Sequence, residues 1–180
     1  MSAAAQVPTM CIETERLALK PLAATDYDFL CALWVQRGVY HHITGKPLRP
    51  EEVWLRLLRD IGHWQVFGFG NWLVRLKDTD QPIGVVGIFD YKRDIRPAFD
   101  AFETGWVFDS AFHGQGYAAE ALTAALAHAD ETLNLPRLIC MISPENAASL
   151  KLALCHGYKP LRECLFHGQP TFILEHLKAK

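Results

Sequence analysis

The sequence predicts a mixed α/β domain around a central, largely antiparallel sheet. Two runs, NWLVRLK (71–77) and PIGVVGIFDY (82–91), are strand-like and are joined by DTDQ, a turn-rich link that implies an antiparallel hairpin. RLICMI (137–142) is short and continuously apolar, as expected of a strand buried on both faces. Helical spacing of apolar residues alternates with these runs and gives the order β-α-α-β-β-β-α-β-α-β-β.

Taken in order, ETERLALKPL (13–22) sets Leu17 and Leu19 among charged residues and reads as one half-exposed strand. TDYDFLCALWV (25–35) has Thr25 as a cap, acidic residues in its first turn, and Phe29, Leu30, Leu33 and Trp34 at helical spacing. QRGVYHHITGKPL then reads as a loop. A second helix over 50–64 starts at Pro50, which suits a first turn, and sets Val53, Leu57, Leu58 and Ile61 on one side. After the hairpin and the polar loop KRDIRPA, FDAFETGWVFD (99–109) is the next strand. Helix 116–133 carries Ala118, Leu122, Ala125, Leu126, Ala129 and Leu133, and stops at Asn134 and Pro136. Helix 144–158 ends at Gly157, and RECLF and TFILEHL complete the strands. Without repeats or linkers, residues 11–180 are expected to form a single domain behind a disordered tail over 1–10.

Composition excludes several classes. Half of the residues are hydrophobic, 21% are charged and the net charge is −2, an ordinary globular balance without the basic patch of a nucleic-acid binder. No apolar run approaches the roughly 20 residues of a membrane span, and MSAAAQVPTM is not built like a secretory signal. The five cysteines are scattered and never spaced C-x-x-C, which points to a reducing, cytoplasmic setting and not to disulfides or zinc. Among eight histidines only His41 and His42 are adjacent. No metal site is expected.

AFHGQGYAAEAL (111–122) places two glycines directly before a helix. Such a path lets an anion approach the unpaired N–H groups and the positive end of the helix dipole. GQGYAA fits G-x-G-x-x-A, but a dinucleotide fold would need an acidic residue about 20 positions on, and RLICMISP supplies no carboxylate.

ETGWVFDSAFHGQGYAAEAL resembles the acetyl-CoA-binding segment of GCN5-related N-acetyltransferases (GNAT), in particular the RimJ/RimL branch. The family's [QR]-x-x-G-x-[GA] loop falls on His113, Gly114, Gln115, Gly116, Tyr117 and Ala118, with His113 in place of Gln or Arg. NAASLKLALCHGY resembles a second family segment through Asn146, Ser149, Gly157 and Tyr158, and TERLALKPL with DYDFL resembles the start of RimJ/RimL-type proteins. The resemblance implies a GNAT-like fold in which strands 99–109 and 137–142 splay apart. Pantetheine would then pair with the backbone at Trp106, Val107 and Phe108, and the pyrophosphate would lie over the amides of residues 113–118.

The implied activity is direct acetyl transfer from acetyl-CoA to a primary amine, with no metal; monomer or homodimer both remain open. The alternative is a non-catalytic acyl-CoA-binding module on the same fold. Amine attack needs the free base, whose formation at pH 7 takes about 4–5 kcal/mol for a lysine-like amine and about 1 for an α-amine. By resemblance Glu103 is the candidate base, ahead of Asp100 and Asp109. The tyrosine that many relatives use as acid is Ala153 here, so Ser149 is the candidate donor to the thiolate and Asn146 a contact to pantetheine or substrate. Tyr40, His41 and His42, with FGFGNW (67–72), are candidates for the acceptor mouth.

Overall fold

The computed structural model describes residues 10–178, so the expected tail lies outside the described residues except for Met10. That residue is tied down, because its carbonyl accepts the Trp72 indole N–H at 3.1 Å. Eight strands form one sheet: β1 (Ile12–Glu13), β2 (Leu17–Pro21), β3 (Asn71–Leu76), β4 (Pro82–Phe89), β5 (Phe102–Phe108), β6 (Arg137–Ile142), β7 (Lys159–Phe166) and β8 (Gln169–Leu177). Their order is β1-β2-β3-β4-β5-β6-β8-β7. Every neighbouring pair is antiparallel except β5 and β6. The largely antiparallel sheet expected from the sequence is therefore present.

Helices cover both faces. On one side lie α1 (Tyr27–Trp34), α2 (Arg37–Tyr40) and α3 (Pro50–Phe67), whose Leu30, Leu33, Val39, Val53 and Leu57 pack with Leu73 and Val85 of the sheet. On the other lies α4 (Tyr117–Glu131), with Ala121, Leu122, Ala125 and Ala129 against Leu19, Trp72, Val74, Val86 and Ile88. Trp72 and Val74 face one layer and Leu73 the other, as the two-residue strand period requires. Burying a leucine such as Leu122 contributes about 1.5–3 kcal/mol, and the alanines let α4 lie close to the sheet. α5 (Ala147–Cys155) follows β6.

Several local expectations are corrected. The strand expected over 13–22 is a small hairpin, because Thr14 turns the chain: its N–H donates to the Leu17 carbonyl and its hydroxyl accepts the Leu17 N–H, each at 2.9 Å. Thr25 does not cap α1. Instead, the Asp26 carboxylate, a stronger acceptor, takes the Ala23 N–H at 2.8 Å. The loop expected after α1 contains α2. α3 runs on to Phe67 and ends at Gly68, whose φ of +74° suits the residue after a helix. Leu58 is solvent-facing at 45% exposure, and the buried stripe of α3 runs instead through Val53, Leu57, Asp60, His63 and Trp64.

The feature that positions a site is the break between β5 and β6. They pair in parallel only at Phe102 with Leu138 and Glu103 with Ile139. Beyond that point β5 stays with β4 as far as Phe108, and β6 stays with β8 as far as Ile142. Gly84 keeps the first of these pairings tight: a Cβ there would lie 2.5 Å from the Phe108 ring and 2.6 Å from the Val107 carbonyl. The β6-facing edge of Thr104 to Phe108 is left open, and a slot results.

Candidate active site

The slot opens at one end onto the glycine loop. Gly114 and Gly116 have φ of +73° and +82°, a left-handed conformation that disfavours residues with a Cβ. Gly116 is the residue just ahead of α4. The N–H groups of Gly114 to Ala118 donate to no backbone carbonyl among the described residues, and the loop from His113 to Gly116 is exposed. Unsatisfied, outward N–H groups at a helix start form an anion cradle. His113 does not reach into it. Its Nε2 lies 2.9 Å from the Phe108 carbonyl, which can only accept, so Nε2 carries the proton and the ring ties the loop to β5.

Arg16 braces the cradle from below. It donates to the Gln115 carbonyl at 3.1 Å and to Glu120 at 2.7 Å, and its guanidinium stacks 4.4 Å from the Tyr117 ring centre. Burial of Glu120 works the other way, but the Thr14 hydroxyl, the Arg16 N–H and the Arg16 guanidinium together hold its carboxyl below the ordinary range.

The other end of the slot widens into a cavity floored by Glu103 to Val107 of β5. On the α5 side stand Ser143, Asn146 and Ser149. Asn146 accepts the Ser149 N–H at 3.1 Å as the cap of α5, which leaves its amide NH2 without a protein acceptor among the described residues. The Trp106 indole N–H donates to Ser149 Oγ at 3.3 Å across the slot. Since that bond uses the oxygen as acceptor, the hydroxyl proton is available to a further group.

On the α3 side the cavity is polar. Tyr91 donates to Asp60 at 2.7 Å and accepts from Asn71 at 2.6 Å, so its phenol is doubly engaged. Burial, then the nearby Asp60 charge, pushes the Tyr91 pKa far up, and it remains a neutral phenol. Arg59 donates twice to Asp60, at 3.0 and 2.9 Å, and its guanidinium stacks 3.6 Å from the Tyr91 ring centre. Glu103, 4% exposed, accepts from Arg93 Nε at both oxygens, at 2.9 and 3.0 Å. Burial raises its pKa, and the Arg93 bond and charge only partly offset that. A carboxylate with a raised pKa at the branch point of the slot is a stronger base than a free one.

Residues 16–159 match the acetyltransferase (GNAT) domain family. The chain belongs to the GNAT acetyltransferases. Over 140 residues it is 28% identical to an uncharacterized N-acetyltransferase, p20, of Bacillus licheniformis, covering 77% of this chain and 76% of that one. A protein assigned to the GnaT-family acetyltransferases of Bordetella pertussis superposes with a TM-score of 0.83 at 30% identity, over 94% of this chain and 99% of that one. RimL, the ribosomal L7/L12 α-N-protein acetyltransferase, solved in complex with coenzyme A, gives a TM-score of 0.77 at 17% identity, over 93% and 98% of the two chains.

Within this GNAT framework the residues singled out from the sequence divide clearly. Glu103, Trp106, Val107, Asn146 and Ser149 line the cavity, and 113–118 form the cradle. Phe108 is 5% exposed and packs into the core beneath α4, so only its backbone can face the slot. Of Tyr40, His41 and His42, only His42 reaches the cavity; Tyr40 ends α2 and His41 is exposed. His41 and His42 do approach Glu145, with one ligand atom of each within 4.8 Å of the others. FGFGNW contributes Asn71 alone to the cavity, because Phe69 and Trp72 bury their large apolar surface in the core. Asp100 pairs with Arg137 at 2.7 Å, and Asp109 accepts the Ala111 N–H at 2.9 Å.

Sequence reasoning missed Arg16, Arg56, Arg59, Asp60, Tyr91 and Arg93. For the α3 residues a signal existed, since Arg56, Asp60 and His63 recur at helical spacing beside Val53 and Leu57.

Proposed function

We infer that this protein transfers an acetyl group from acetyl-CoA directly to a primary amine, either a protein N terminus or a small molecule. The observation that carries the reading is the continuous path along the unpaired edge of β5, from the anion cradle to Glu103. Coenzyme A has the matching parts: a pyrophosphate for the exposed N–H groups and an amide-bearing pantetheine arm for an open strand edge. Acetyl-CoA, when bound, supplies the thioester carbonyl that the amine attacks. That RimL was solved with coenzyme A supports the reading by fold.

The roles follow from the chemistry of each side chain. Glu103 takes the ammonium proton, directly or through water, for which burial has raised its basicity. Ser149 offers its free O–H to the departing sulfur, with its oxygen held by Trp106. Asn146 presents its amide NH2 to the pantetheine arm or the substrate. No covalent enzyme intermediate is needed, and positioning of amine and thioester along the slot contributes to the rate.

Two measurements test this. CoA and acetyl-CoA should raise the melting temperature, as ligands specific to the folded state do, whereas NADH should not. An amine panel should release CoA thiol from acetyl-CoA. Stabilisation by NADH without a response to CoA overturns the reading.

A further inference from the structure

The cavity holds more positive than negative charge on its α3 side. Three guanidinium groups line it, those of Arg56, Arg59 and Arg93, against two carboxylates, Asp60 and Glu103. Arg59 is committed to Asp60 and Arg93 to Glu103. Arg56 has neither a hydrogen bond nor an ion pair among the described residues. It lies with its guanidinium 4.6 Å from the centre of the Trp34 ring, which is itself buried and on the cavity wall.

A guanidinium cannot shed its charge under physiological conditions and presents five donors in a fixed fork. Burial, then the charge of Arg59, depresses the Arg56 pKa, and the Asp60 carboxylate, already bonded to Arg59, offsets this only in part. A half-buried guanidinium with no bonded acceptor keeps its donors free for a ligand that enters the cavity. The neighbouring phenol cannot serve as that acceptor, because Tyr91 already donates to Asp60 and accepts from Asn71. The cradle at residues 113–118 takes the anionic end of the cosubstrate at the other end of the slot, which leaves this spare cation to the acceptor.

Resting on the amine-acetylation reading above, we propose that the acceptor carries a carboxylate besides its amine and that Arg56 binds it. One uncompensated positive charge matches a monoanionic carboxylate better than a dianionic phosphate, and a planar fork fits a carboxylate with two parallel hydrogen bonds. The Trp34 ring fixes the plane of that fork. Free amino acids and peptides beginning with Asp or Glu both offer such a group.

The test uses the full chain, the variant Arg56→Met, which keeps the stem over Trp34 and removes the charge, and three matched sets of amines. These are α-amino acids with their carboxamides, peptide amides beginning with Asp or Glu with their Asn or Gln counterparts, and O-phosphoethanolamine with ethanolamine. Wild type should favour the carboxylate member of at least one pair by about tenfold or more in kcat/KM, the worth of a charged hydrogen bond. Arg56→Met should erase that preference, with the carboxylate member losing about tenfold or more relative to its uncharged partner and acetyl-CoA affinity unchanged. The amino acid and peptide pairs identify which source supplies the carboxylate. Equal use of both members of every carboxylate pair, or preference for the phosphate, overturns the inference and leaves the acetylation reading intact.

A second measurement does not need turnover. N-acetyl amino acids and their carboxamides are titrated calorimetrically into each protein saturated with CoA. Tighter binding of the acid by wild type, lost in Arg56→Met, supports the proposal; no difference between acid and amide refutes it. Failure of CoA itself to bind counts against the acetylation reading.

Discussion

Replacing Arg93 with methionine removes the guanidinium from which both oxygens of Glu103 accept and keeps most of the apolar stem. The side chain of Glu103 is only 5% exposed, against 26% for Arg93, so the carboxylate left behind is the one that suffers. It can remain charged without its partner, or it can take a proton. Protonation sets the ceiling on the damage. From an ordinary glutamate pKa near 4.3, holding a proton at pH 7 costs about 1.36 kcal/mol per unit over roughly 2.7 units, or about 3.7 kcal/mol, and only about 1 kcal/mol at pH 5. The wild type already bears part of this, since burial raises its Glu103 pKa despite Arg93.

The expected loss of stability in Arg93→Met is therefore about 1–3 kcal/mol at pH 7 and under about 1 at pH 5. The sign follows from linkage. A carboxyl whose folded pKa is raised above the unfolded value favours the fold at low pH and loses that contribution as pH rises through the folded value. Raising it further in the variant enlarges the penalty on the alkaline side. Urea unfolding of wild type and variant at the two pH values measures it. Arg93→Met combined with Glu103→Gln should recover most of the loss, because an unpaired buried charge is what the single change creates. A loss equal at both pH values would mean that Arg93 acts only by packing on Tyr91 and Phe166, which its guanidinium approaches at 5.4 and 5.2 Å. The electrostatic account of Glu103 would then be wrong.

Gly116→Val should weaken CoA binding by about tenfold or more, since the residue has φ of +82°, which resists a Cβ, and an added Cβ would lie 3.3 Å from the Arg16 guanidinium that braces the loop; unchanged affinity in the folded variant removes the loop from the site. Ser149→Ala should lower turnover more than acetyl-CoA affinity if its hydroxyl serves the sulfur, and equal losses would make it a simple pantetheine contact. Glu103→Gln should reduce the rate by about 10²–10⁴ with acetyl-CoA affinity little changed, and higher pH should restore much of it by supplying free amine. Wild-type turnover by Glu103→Gln across the neutral range would show that the amine loses its proton elsewhere.

What could be read from the sequence was local in origin. Gly114 and Gly116 announce a loop by their own backbone requirements, and the hairpin of β3 and β4 follows from two adjacent runs and a turn. The acceptor side of the cavity is different in kind. Asp60 comes from α3, Asn71 from β3, Tyr91 and Arg93 from the loop after β4, and Glu103 from β5. No segment of the chain contains enough of them to form a pattern. The aromatic-rich FGFGNW misled for a related reason. Its aromatic rings suggest a lining for the acceptor mouth, but Phe69 and Trp72 bury theirs in the core, and Asn71 alone reaches the cavity. Conversely, the polar stripe of α3 resembles an ordinary helix surface until Val53 and Leu57 are seen to share its side.

The same separation explains why Glu103 stands where it does. β5 pairs with β4 from Glu103 to Phe108 and β6 pairs with β8 from Arg137 to Ile142, so each central strand draws most of its ladder from its outer neighbour. Two parallel pairs suffice to hold them in register, and the last is Glu103 with Ile139. One residue later the edge of β5 is open. An unpaired edge is normally a liability, because it invites another strand; here it lies between two strands of the same sheet, β5 and β6, and not at the sheet's outer edge. The carboxylate at the branch point therefore sits against the closed end of the slot, where an arm laid along β5 from the cradle must stop. Glu103 pairs on both sides, with Phe89 of β4 and Ile139 of β6, and is buried there. On this account the position of the proposed base is fixed by sheet pairing, and a change that extended the β5–β6 ladder by one pair would move the closed end of the slot past Thr104 and away from Glu103.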